Sequence, residues 1–486
     1  MQRPHDQFNY ELKANGESST KYINSRMATS INDFKHVFFI GIAGSGMSAI
    51  AQYLAGSGIS VSGSDRFFSG GEPGDIRQKL EASGIKCFPQ NGSGITDETD
   101  LVVVSTAIEA TVEEVIIAKD KNIPILKRSE VLAMISNSKK TIAIGGTSGK
   151  STTAAMLYNI LQQGSSQPGI ITGAGLISIM EEGKIGNAHT GDENGWLIIE
   201  ADESDGSIVL YEPEAGLLLN IDKDHQEVEE LISLFTTFKH NTKELFVCNQ
   251  GNAFARALSA GANFDFSTDP EFPAAYMTSD FSQSGRNIFF RVNDVPFRVS
   301  AIGKHNMENA LAAICLANQL GITLEECAKG LANYRGIYRR HQFLGNKNGV
   351  EVIDDFGHNP VKCAASIRAC QPLAPKVIAW FQPHGYGPTK FLKNDFINEI
   401  SKALRDEDEI WMSEIYYAGG TAEKTISAQE LIDGIFSKGK RAFFVAERNE
   451  LLNQMRGHLK DPCVVLLMGA RDPGLADFAQ QFFEQL

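Results

Sequence analysis

Short apolar runs along the chain alternate with longer stretches in which apolar residues recur every three or four positions. Runs of the first kind predict buried strands and stretches of the second kind predict helices, so their alternation is typical of βαβ units with parallel sheets. The alternation begins near residue 35 and restarts at KKTIAI and again at the connecting stretch CAKGLANYRGIYRRHQFLG. It predicts an α/β fold of three successive domains, over 35–136, 137–326 and 327–486, preceded by a polar leader at 1–34.

The strand candidates are the most apolar runs of each domain. In the first domain they are HVFFIGI, ISVSGSD, LVVVSTAI and IPILKRSE. In the second domain they are KKTIAI, GWLIIEADES, EAGLLLNID and ELFVCN. In the third domain they are VEVIDDF, KVIAWFQPH, EIWMSEIY, RAFFV and CVVLLMGA.

Bulk composition narrows the class of protein. Hydrophobic residues make up 42% of the 486 residues, and no apolar run approaches the roughly 18 residues of a membrane span. A formal net charge of -14 argues against nucleic-acid binding, which needs a basic surface. The leader lacks the apolar core of a secretory signal and the seven cysteines form no CxxC pairs, so we expect a cytoplasmic protein with reduced thiols.

The stretch IGGTSGKSTTAA lies between a strand candidate and a helix candidate. Its glycines allow backbone N–H groups to turn toward an anion, Lys150 can reach terminal phosphates, and the Ser151 hydroxyl suits a magnesium ion. The spacing departs from GxxxxGK[ST], because Ile144 stands where that pattern has its first glycine. Strand, glycine turn, Lys-Ser and helix nevertheless follow in the required order, which predicts a nucleotide phosphate site.

Acidic residues follow two of the strand candidates in the second domain. Glu200 ends the run WLIIE, with Asp202 and Glu203 directly after it, and the next strand candidate leads into Asp224 and His225. Ligands of open α/β sheets collect at the carboxyl ends of strands, and Mg²⁺ takes one or two carboxylates there. The sequence therefore predicts a magnesium site at Ser151, Glu200 and His225.

A second glycine-rich stretch, FFIGIAGSGMSAIA, places Gly41, Gly44 and Gly46 between a strand candidate and a helix candidate, with Asp65 about twenty residues later. This resembles a dinucleotide-binding loop, although its spacing is GxxGxG rather than GxGxxG. A dinucleotide-dependent oxidoreductase would leave the Lys150 loop without a role. Two anion-binding loops favour a protein that binds two phosphorylated ligands.

Nine motifs together resemble those of the Mur ligases, in the order of that family and over about residues 35–480. The motifs are GIAGSGMSAIAQYLAGSGISVSGSD, VVVSTAI, GTSGKSTT, EADESDGS, NIDKDH, GKHNMENALAA, YRGIYRRHQFLG, IDDFGHNP and FQPH. The resemblance implies a three-domain Mur ligase architecture: a Rossmann-like UDP-binding domain, a central ATPase-like domain and a Rossmann-like third domain. It also implies an ATP-dependent, ADP-forming ligase that uses Mg²⁺ and joins an amino acid, with L-alanine as the first candidate, to the carboxylate of UDP-N-acetylmuramate.

The resemblance also assigns residues to ligands. Those implied to bind the UDP substrate are Gly41, Ala43, Gly44, Ser45, Gly46, Met47, Asp65, Ser105, Thr106 and Ala107. Those implied to bind ATP are Gly146, Thr147, Ser148, Gly149, Lys150, Ser151, Thr152, His305, Asn306, Asn309, Arg339 and Asp355. The implied catalytic residues are Lys150, Glu200, His225 and His358, and the implied acceptor-binding residues are His358, His384 and Lys390.

The chain departs from the family pattern mainly where the amine is chosen. The family segment FQPHRYTRTR reads FQPHGYGPTK here, so Gly385 and Pro388 replace arginines and only Lys390 is cationic. Because lysine does not reproduce a bidentate Arg–carboxylate pair, a peptide acceptor or another UDP-sugar acid stays open as an alternative. A non-catalytic nucleotide-binding regulator is a further alternative, and the protein is expected to be a monomer or homodimer.

Overall fold

A computed structural model describes residues 30–69, 75–222, 227–417, 424–460 and 462–486. Most of the predicted leader at 1–34 therefore lies outside the described residues. Among those described, no helix combines the length and the apolar character that crossing a membrane requires.

The first part of the chain is built on a parallel sheet. Its elements are β1 (His36–Ile40), α1 (Ser45–Gly56), β2 (Ser60–Asp65), α2 (Asp75–Ala82), β3 (Lys86–Pro89), β4 (Leu101–Val104), α3 (Glu113–Asp120), β5 (Ile125–Lys127) and α4 (Arg128–Asn137). Within residues 30–69 and 75–137, five strands lie in the order β3-β2-β1-β4-β5, all parallel. The predicted βαβ pattern is confirmed, and central strand β1 delivers the glycine loop to the carboxyl edge of the sheet.

A second parallel sheet begins at the strand before the Lys150 loop. Its elements are β6 (Thr141–Gly145), α5 (Lys150–Leu161), β7 (Gly169–Ile171), α6 (Ile177–Met180), β8 (Ala188–His189), β9 (Leu197–Glu200), β10 (Ala215–Leu218), α7 (Val228–Asn241), β11 (Leu245–Cys248) and α8 (Ala253–Ala257). The strand order is β11-β10-β6-β9-β7-β8, and β8 alone pairs antiparallel among these described strands. Because β6 lies between β9 and β10, the chain segments that follow all three strands meet at one edge.

A small third sheet was not predicted. It comprises β12 (Phe266–Ser267), β13 (Tyr276–Ser284), β14 (Asn287–Val292) and β15 (Val295–Val299), and it is followed by α9 (Lys304–Gln319) and α10 (Leu324–Ala332). The last three strands are antiparallel, and buried and less buried residues alternate along β14. Such half-exposed strands lack the long continuous apolar runs from which strands were predicted, so the sequence pattern did not indicate them. Helices α9 and α10 pack against α5, which anchors the helix that carries Lys150.

The last part of the chain forms a mixed sheet. Its elements are β16 (Gln342–Lys347), β17 (Val350–Asp355), α11 (Pro360–Cys370), β18 (Lys376–Gln382), α12 (Tyr386–Phe391), α13 (Lys393–Ala403), β19 (Glu409–Met412), α14 (Ala428–Phe436), β20 (Arg441–Phe444), α15 (Leu451–Met455), β21 (Cys463–Gly469) and α16 (Leu475–Gln485). In the described residues from 339 onward, six strands lie in the order β16-β17-β21-β18-β19-β20, with β16 antiparallel to β17. All five predicted strands of this domain are present.

Candidate nucleotide and ligase site

The loop between β6 and α5 depends on glycine at two positions. Gly146 and Gly149 have φ values of 137° and 89°, a region that side chains with a Cβ rarely adopt. A Cβ on Gly149 would also lie 2.4 Å from Oδ1 of Asn309. The loop can therefore turn its backbone inward directly before α5 begins at Lys150.

Asn220, which follows β10, holds this loop in shape. Its side-chain oxygen accepts hydrogen bonds from the Thr147 hydroxyl (2.9 Å) and the Ser148 backbone N–H (2.9 Å), and its side-chain N–H donates to the Ser148 carbonyl (3.1 Å). The Asp222 N–H donates to the Thr147 hydroxyl at 3.1 Å. Asn220 is not among the predicted site residues, although it is the first residue of the NIDKDH motif, which was a usable signal.

Lys150 points along the loop toward the acidic run. Its Nζ donates to the Gly146 carbonyl oxygen at 2.7 Å and to a carboxylate oxygen of Glu203 at 2.7 Å. Burial alone lowers the pKa of Lys150, but the charges of Glu203, Asp202 and Glu200 outweigh it and leave the pKa raised. Lys150 is thus a positively charged group at neutral pH, fixed at the mouth of the loop by these hydrogen bonds.

Ser151 and Glu200 form an oxygen pair suited to a magnesium ion. The Ser151 hydroxyl donates to Glu200 at 2.8 Å, and the other Glu200 oxygen accepts from the Gly173 N–H at 2.8 Å and from the Thr172 hydroxyl. One hydroxyl and one carboxylate fit Mg²⁺, which takes its remaining ligands from phosphates and water. Predicted His225 lies outside the described residues, and within them no cluster of three or more His, Cys, Asp or Glu side chains suits a metal.

The third domain supplies the opposite wall through the end of β17. The Asp355 carboxylate accepts hydrogen bonds from the backbone N–H groups of His341 (2.9 Å) and Gly357 (3.0 Å) and from the Ser366 hydroxyl (2.7 Å). Burial raises the pKa of Asp355, but the charges of His341 and Arg340 and these hydrogen bonds outweigh it, and the pKa falls to about 2. Asp355 is therefore an ionised group fixed at the end of its strand.

Arg339 and Arg340 point to different surroundings. Arg339 is buried, and its guanidinium donates to both oxygens of Asp354 (2.9 and 3.3 Å) and to the Gly469 carbonyl (2.9 Å). Arg340 instead lines the central cavity and lies 4.8 Å from the centroid of the Phe356 ring. The sequence prediction named Arg339 for ATP, whereas the side chain that reaches the cavity is that of its neighbour.

A cavity of about 1020 Å³ lies between the second and third domains. Ten of the twelve residues predicted for ATP line it, the exceptions being Gly146 and Arg339. Glu200, His358 and Arg340 line it as well. Tertiary structure therefore brings the phosphate loop, the acidic strand end and the third-domain wall around one space large enough for a nucleotide.

The predicted adenine residues lie at the start of α9. His305 lines the cavity, and burial together with the charge of His341 lowers its pKa to about 3, so its ring is neutral. The Asn309 side chain accepts from the Thr153 hydroxyl at 3.4 Å and donates to Asn306 at 3.2 Å. These amides connect α9 to α5 beside the phosphate loop.

Only one of the three predicted acceptor residues reaches the cavity. His358 lines it, and burial lowers the pKa of His358 to about 4 while one ring nitrogen lies 3.0 Å from the Phe356 carbonyl oxygen. The His384 ring is 5.9 Å from that of His358 but is not part of the lining. Lys390 is exposed and donates to the Thr425 hydroxyl at 3.1 Å, away from the cavity.

The first glycine loop forms a separate candidate site. Gly41 has a φ of 78°, and the Asp65 carboxylate accepts hydrogen bonds from the backbone N–H groups of Ala43 (3.0 Å) and Phe67 (3.1 Å). The predicted residues 105–107 follow β4, which neighbours β1, and so lie at the same sheet edge.

Arg128 lies at this loop and was not predicted. A Cβ on Gly46 would come within 2.9 Å of a guanidinium nitrogen of Arg128, whose other terminal nitrogen is 3.9 Å from the Asp205 carboxylate. It thus brings a positive charge to the N-terminus of α1, where an anion would bind.

The fold and these sites define a three-domain α/β protein with one phosphate-binding loop in a cavity between domains and a second glycine loop in its first domain. Family models match in chain order: Mur ligase family, catalytic domain, at 36–140; Mur ligase middle domain at 144–317; and Mur ligase, glutamate ligase domain, at 339–471. The chain belongs to the Mur ligase family, which is a family of ATP-dependent amide-forming ligases.

Curated relatives agree over most of the chain. A UDP-N-acetylmuramate–L-alanine ligase of Pelotomaculum thermopropionicum is 32% identical over 460 residues, covering 90% of this chain and 95% of the relative. The crystal structure of the UDP-N-acetylmuramate–alanine ligase of Thermotoga maritima superposes with a TM-score of 0.76 at 26% identity, covering 93% of this chain and 98% of that one. A murein peptide ligase of Psychrobacter arcticus shares the fold, with a TM-score of 0.64 at 20% identity and coverage of 93% and 98%.

Proposed function

We propose that this protein joins L-alanine to the carboxylate of UDP-N-acetylmuramate at the expense of ATP, as a cytoplasmic step of peptidoglycan precursor synthesis. The observation that carries the proposal is the cavity of about 1020 Å³ in which the Lys150 loop and Glu200 face Arg340, Asp355 and His358. The ligases named among the relatives support the choice of substrates.

A carboxylate acylates amines poorly, so the reaction first needs an acyl phosphate. In the proposed reaction the muramyl carboxylate attacks the γ-phosphate of ATP and ADP leaves. The amino group of alanine then attacks the acyl carbon, the C–O bond to phosphate breaks, and the amine loses a proton. Lys150 neutralises charge that develops on the transferred phosphoryl group, where positioned cations contribute most.

Ser151 and Glu200 would hold the magnesium ion, whose charge offsets that of the ATP phosphates when it is bound. Arg340 supplies a further positive charge from the facing domain. His358 is neutral above a pH of about 4 because burial lowers its pKa, so it can accept a hydrogen bond or a proton from the incoming amine. Closure of the third domain over the loop would exclude water from the acyl phosphate.

The predicted division into domains at 35–136, 137–326 and 327–486 belongs to the same proposal. The first domain would bind the UDP group at the loop 41–46, the second ATP and the third the amine. We propose a monomer or homodimer, acting on small molecules without nucleic acid or membrane.

A peptide acceptor is the second candidate, and the segment at 384–390 favours it. Lys390 points to Thr425, Gly385 and Pro388 carry no charge, and a Cβ on Gly387 would meet nothing within 4 Å. The segment therefore leaves open space and contributes no cation to the cavity lining. This suits a longer acceptor better than a free amino acid held by its carboxylate.

The test is phosphate release by the purified protein with ATP, Mg²⁺ and UDP-N-acetylmuramate, with each amino acid or with the tripeptide L-Ala-γ-D-Glu-meso-diaminopimelate as acceptor. We expect release that requires both substrates, and a product heavier than UDP-N-acetylmuramate by one alanine residue in mass spectrometry. Turnover with the tripeptide alone would establish the second candidate. If the protein binds ATP but releases no phosphate with any acceptor tried, the non-catalytic regulator is favoured.

Lys150→Ala is the inactive variant for this test, and Lys184→Ala is its control. Lys184 is an exposed lysine whose ammonium pairs with Glu182 at 2.7 Å, outside both candidate sites. If both variants release phosphate at the wild-type rate, the proposed role of the Lys150 loop is wrong.

A further inference from the structure

His341 stands directly before β16, where the chain passes from the second domain to the third. Its φ of 48° is left-handed, so the backbone there is set by its surroundings rather than by the residue's own preference. The ring lies 5.3 Å from the ring of His305, centroid to centroid, and both rings line the cavity. The two histidines therefore form one patch of the cavity wall, contributed by two domains.

One ring nitrogen of His341 faces Asp355. Nδ1 is 3.8 Å from the carboxylate, which also accepts the His341 backbone N–H at 2.9 Å. Asp355 is ionised at neutral pH, since its pKa is about 2. In the neutral form of the ring, the carboxylate beside Nδ1 favours the tautomer with its proton on Nδ1, and Nε2 is then a hydrogen-bond acceptor.

The other ring nitrogen, Nε2, is buried and has no hydrogen-bond partner among the residues that the structure describes. An unpaired buried polar atom is costly, so such an atom in a cavity wall points to a ligand. The Asp355 carboxylate is already engaged, because it accepts hydrogen bonds from the Gly357 N–H and the Ser366 hydroxyl.

The two ends of a nucleotide differ in whether they could hydrogen-bond to Nε2. Lys150 and Ser151 mark the phosphate end, and phosphate oxygens would repel a lone pair rather than satisfy it. His305 and Asn306 line the cavity at the start of α9, where the family resemblance implies the adenine. A nucleoside presents hydrogen-bond donors there, namely the amino group of adenine and the ribose hydroxyls.

We propose that His341 selects the nucleotide, with Nε2 accepting a hydrogen bond from a donor of the adenosine moiety, either the base amino group or a ribose hydroxyl. The inference rests on the proposed function, because it takes the cavity as the ATP site. Asp355 is then a positioning residue, which fixes the tautomer of the ring that reads the nucleoside.

The test measures nucleotide affinity rather than turnover, by calorimetry with Mg²⁺ and the full-length protein. The ligands are ATP, purine riboside triphosphate, which lacks the base amino group, and 2′-deoxy-ATP and 3′-deoxy-ATP, which each lack one hydroxyl. His341→Phe retains an aromatic ring against His305 and removes both nitrogens, while His341→Gln retains an acceptor. Thermal unfolding of each variant checks that it is folded.

We expect the wild type to bind one of the three analogues roughly tenfold more weakly than ATP, as the loss of one buried hydrogen bond implies. His341→Phe should bind ATP and that analogue equally, and His341→Gln should recover part of the discrimination. If His341→Phe discriminates among the ligands as the wild type does, the inference is wrong while ATP binding itself stands. If the wild type binds none of the ligands, the proposed function fails first.

Discussion

The glycine loops at 41–46 and 145–150 share a backbone design. Each leaves a central parallel strand, β1 or β6, and each leads into a helix of 12 residues. Each also contains a glycine with positive φ, Gly41 in the first and Gly149 in the second. The backbone of either loop can receive an anion, so the shared design does not distinguish binding from chemistry.

The two loops differ in the source of their charge. The second loop carries its own lysine and serine, and the acids that face it come from the neighbouring strand β9 and the turn after it. The first has no cation of its own, and the nearby guanidinium of Arg128 comes from the start of α4. A cation that belongs to the loop itself suits phosphoryl transfer, whereas a cation from another helix suits binding a diphosphate that does not react.

The largest difference between the loops should follow from Lys150→Ala. We expect kcat to fall by ~10³-fold or more, because a cation at the transferred phosphoryl group is lost, while the affinity for the UDP substrate stays unchanged. Single-turnover phosphate release and calorimetry with the UDP substrate separate the two effects. Activity within tenfold of wild type would remove the distinction drawn between the loops.

Arg128→Gln should produce the converse effect. Losing a charge-assisted contact to the diphosphate should raise KM for the UDP substrate by about 10–100-fold, with KM for ATP unchanged. Asp205→Asn removes the carboxylate that competes for Arg128 and should lower the same KM slightly. Steady-state kinetics in both substrates measure this, with Arg77→Gln on α2 as control; an equal rise in both KM values would contradict a role confined to the first loop.

The glycines themselves should differ in their tolerance of alanine. At Gly149 the backbone φ is positive, which disfavours alanine, and a Cβ would lie 2.4 Å from Asn309. We therefore expect a loss of about 1–3 kcal/mol in the free energy of unfolding. At Gly46, within α1, the Cβ meets only the end of the flexible Arg128 side chain, and the loss should stay within about 0.5 kcal/mol. Urea unfolding of the two variants compares them, and equal losses would show that the first loop is as constrained as the second.

The smallest effect concerns pH and the cavity histidines. Burial lowers the pKa of His305 to about 3 and of His358 to about 4, so between pH 7 and pH 6 the unfolded chain takes up protons at these residues and the folded chain does not. Stability should therefore fall with falling pH, and between pH 7 and pH 6 the loss should be about 0.7 kcal/mol per histidine. The loss sets in as the pH falls through the unfolded pKa near 6.5 and ends near the folded pKa values.

Urea unfolding at pH 7 and pH 6 measures this loss. The variant His358→Gln should show a smaller loss than the wild type, and His240→Gln, at an exposed position of α7, should match the wild type. An unchanged loss in His358→Gln would mean that this histidine is not buried in its neutral form.

Much of the fold could be predicted because apolar runs mark strands buried on both faces. The runs LVVVSTAI, WLIIEADES and CVVLLMGA each became a buried strand of a largely parallel sheet. The hairpin sheet of β13–β15 could not be located in this way, since its strands are half exposed and their apolar residues do not form long continuous runs. The antiparallel edge strands β8 and β16 were not predicted either, because pairing direction is set by the path of the chain and not by local pattern.

The candidate site divides in the same way. Lys150, Ser151 and Glu200 could be located because loop spacing and strand ends are local features. Arg128 could not, since it acts on a loop far away in the sequence, whereas Asn220 could have been named because it opens the NIDKDH motif.

The sequence by itself determined the three α/β units, the two glycine loops and the acids that follow the strands, because each is written in a few consecutive residues. Tertiary structure alone decided which of two adjacent arginines faces the cavity, since the left-handed backbone at Arg339 turns its side chain to Asp354 and leaves Arg340 at the wall. It also decided that His341 meets His305 across a domain boundary. The first contact depends on how the chain folds within the third domain and the second on how two domains pack, and no local sequence pattern describes either.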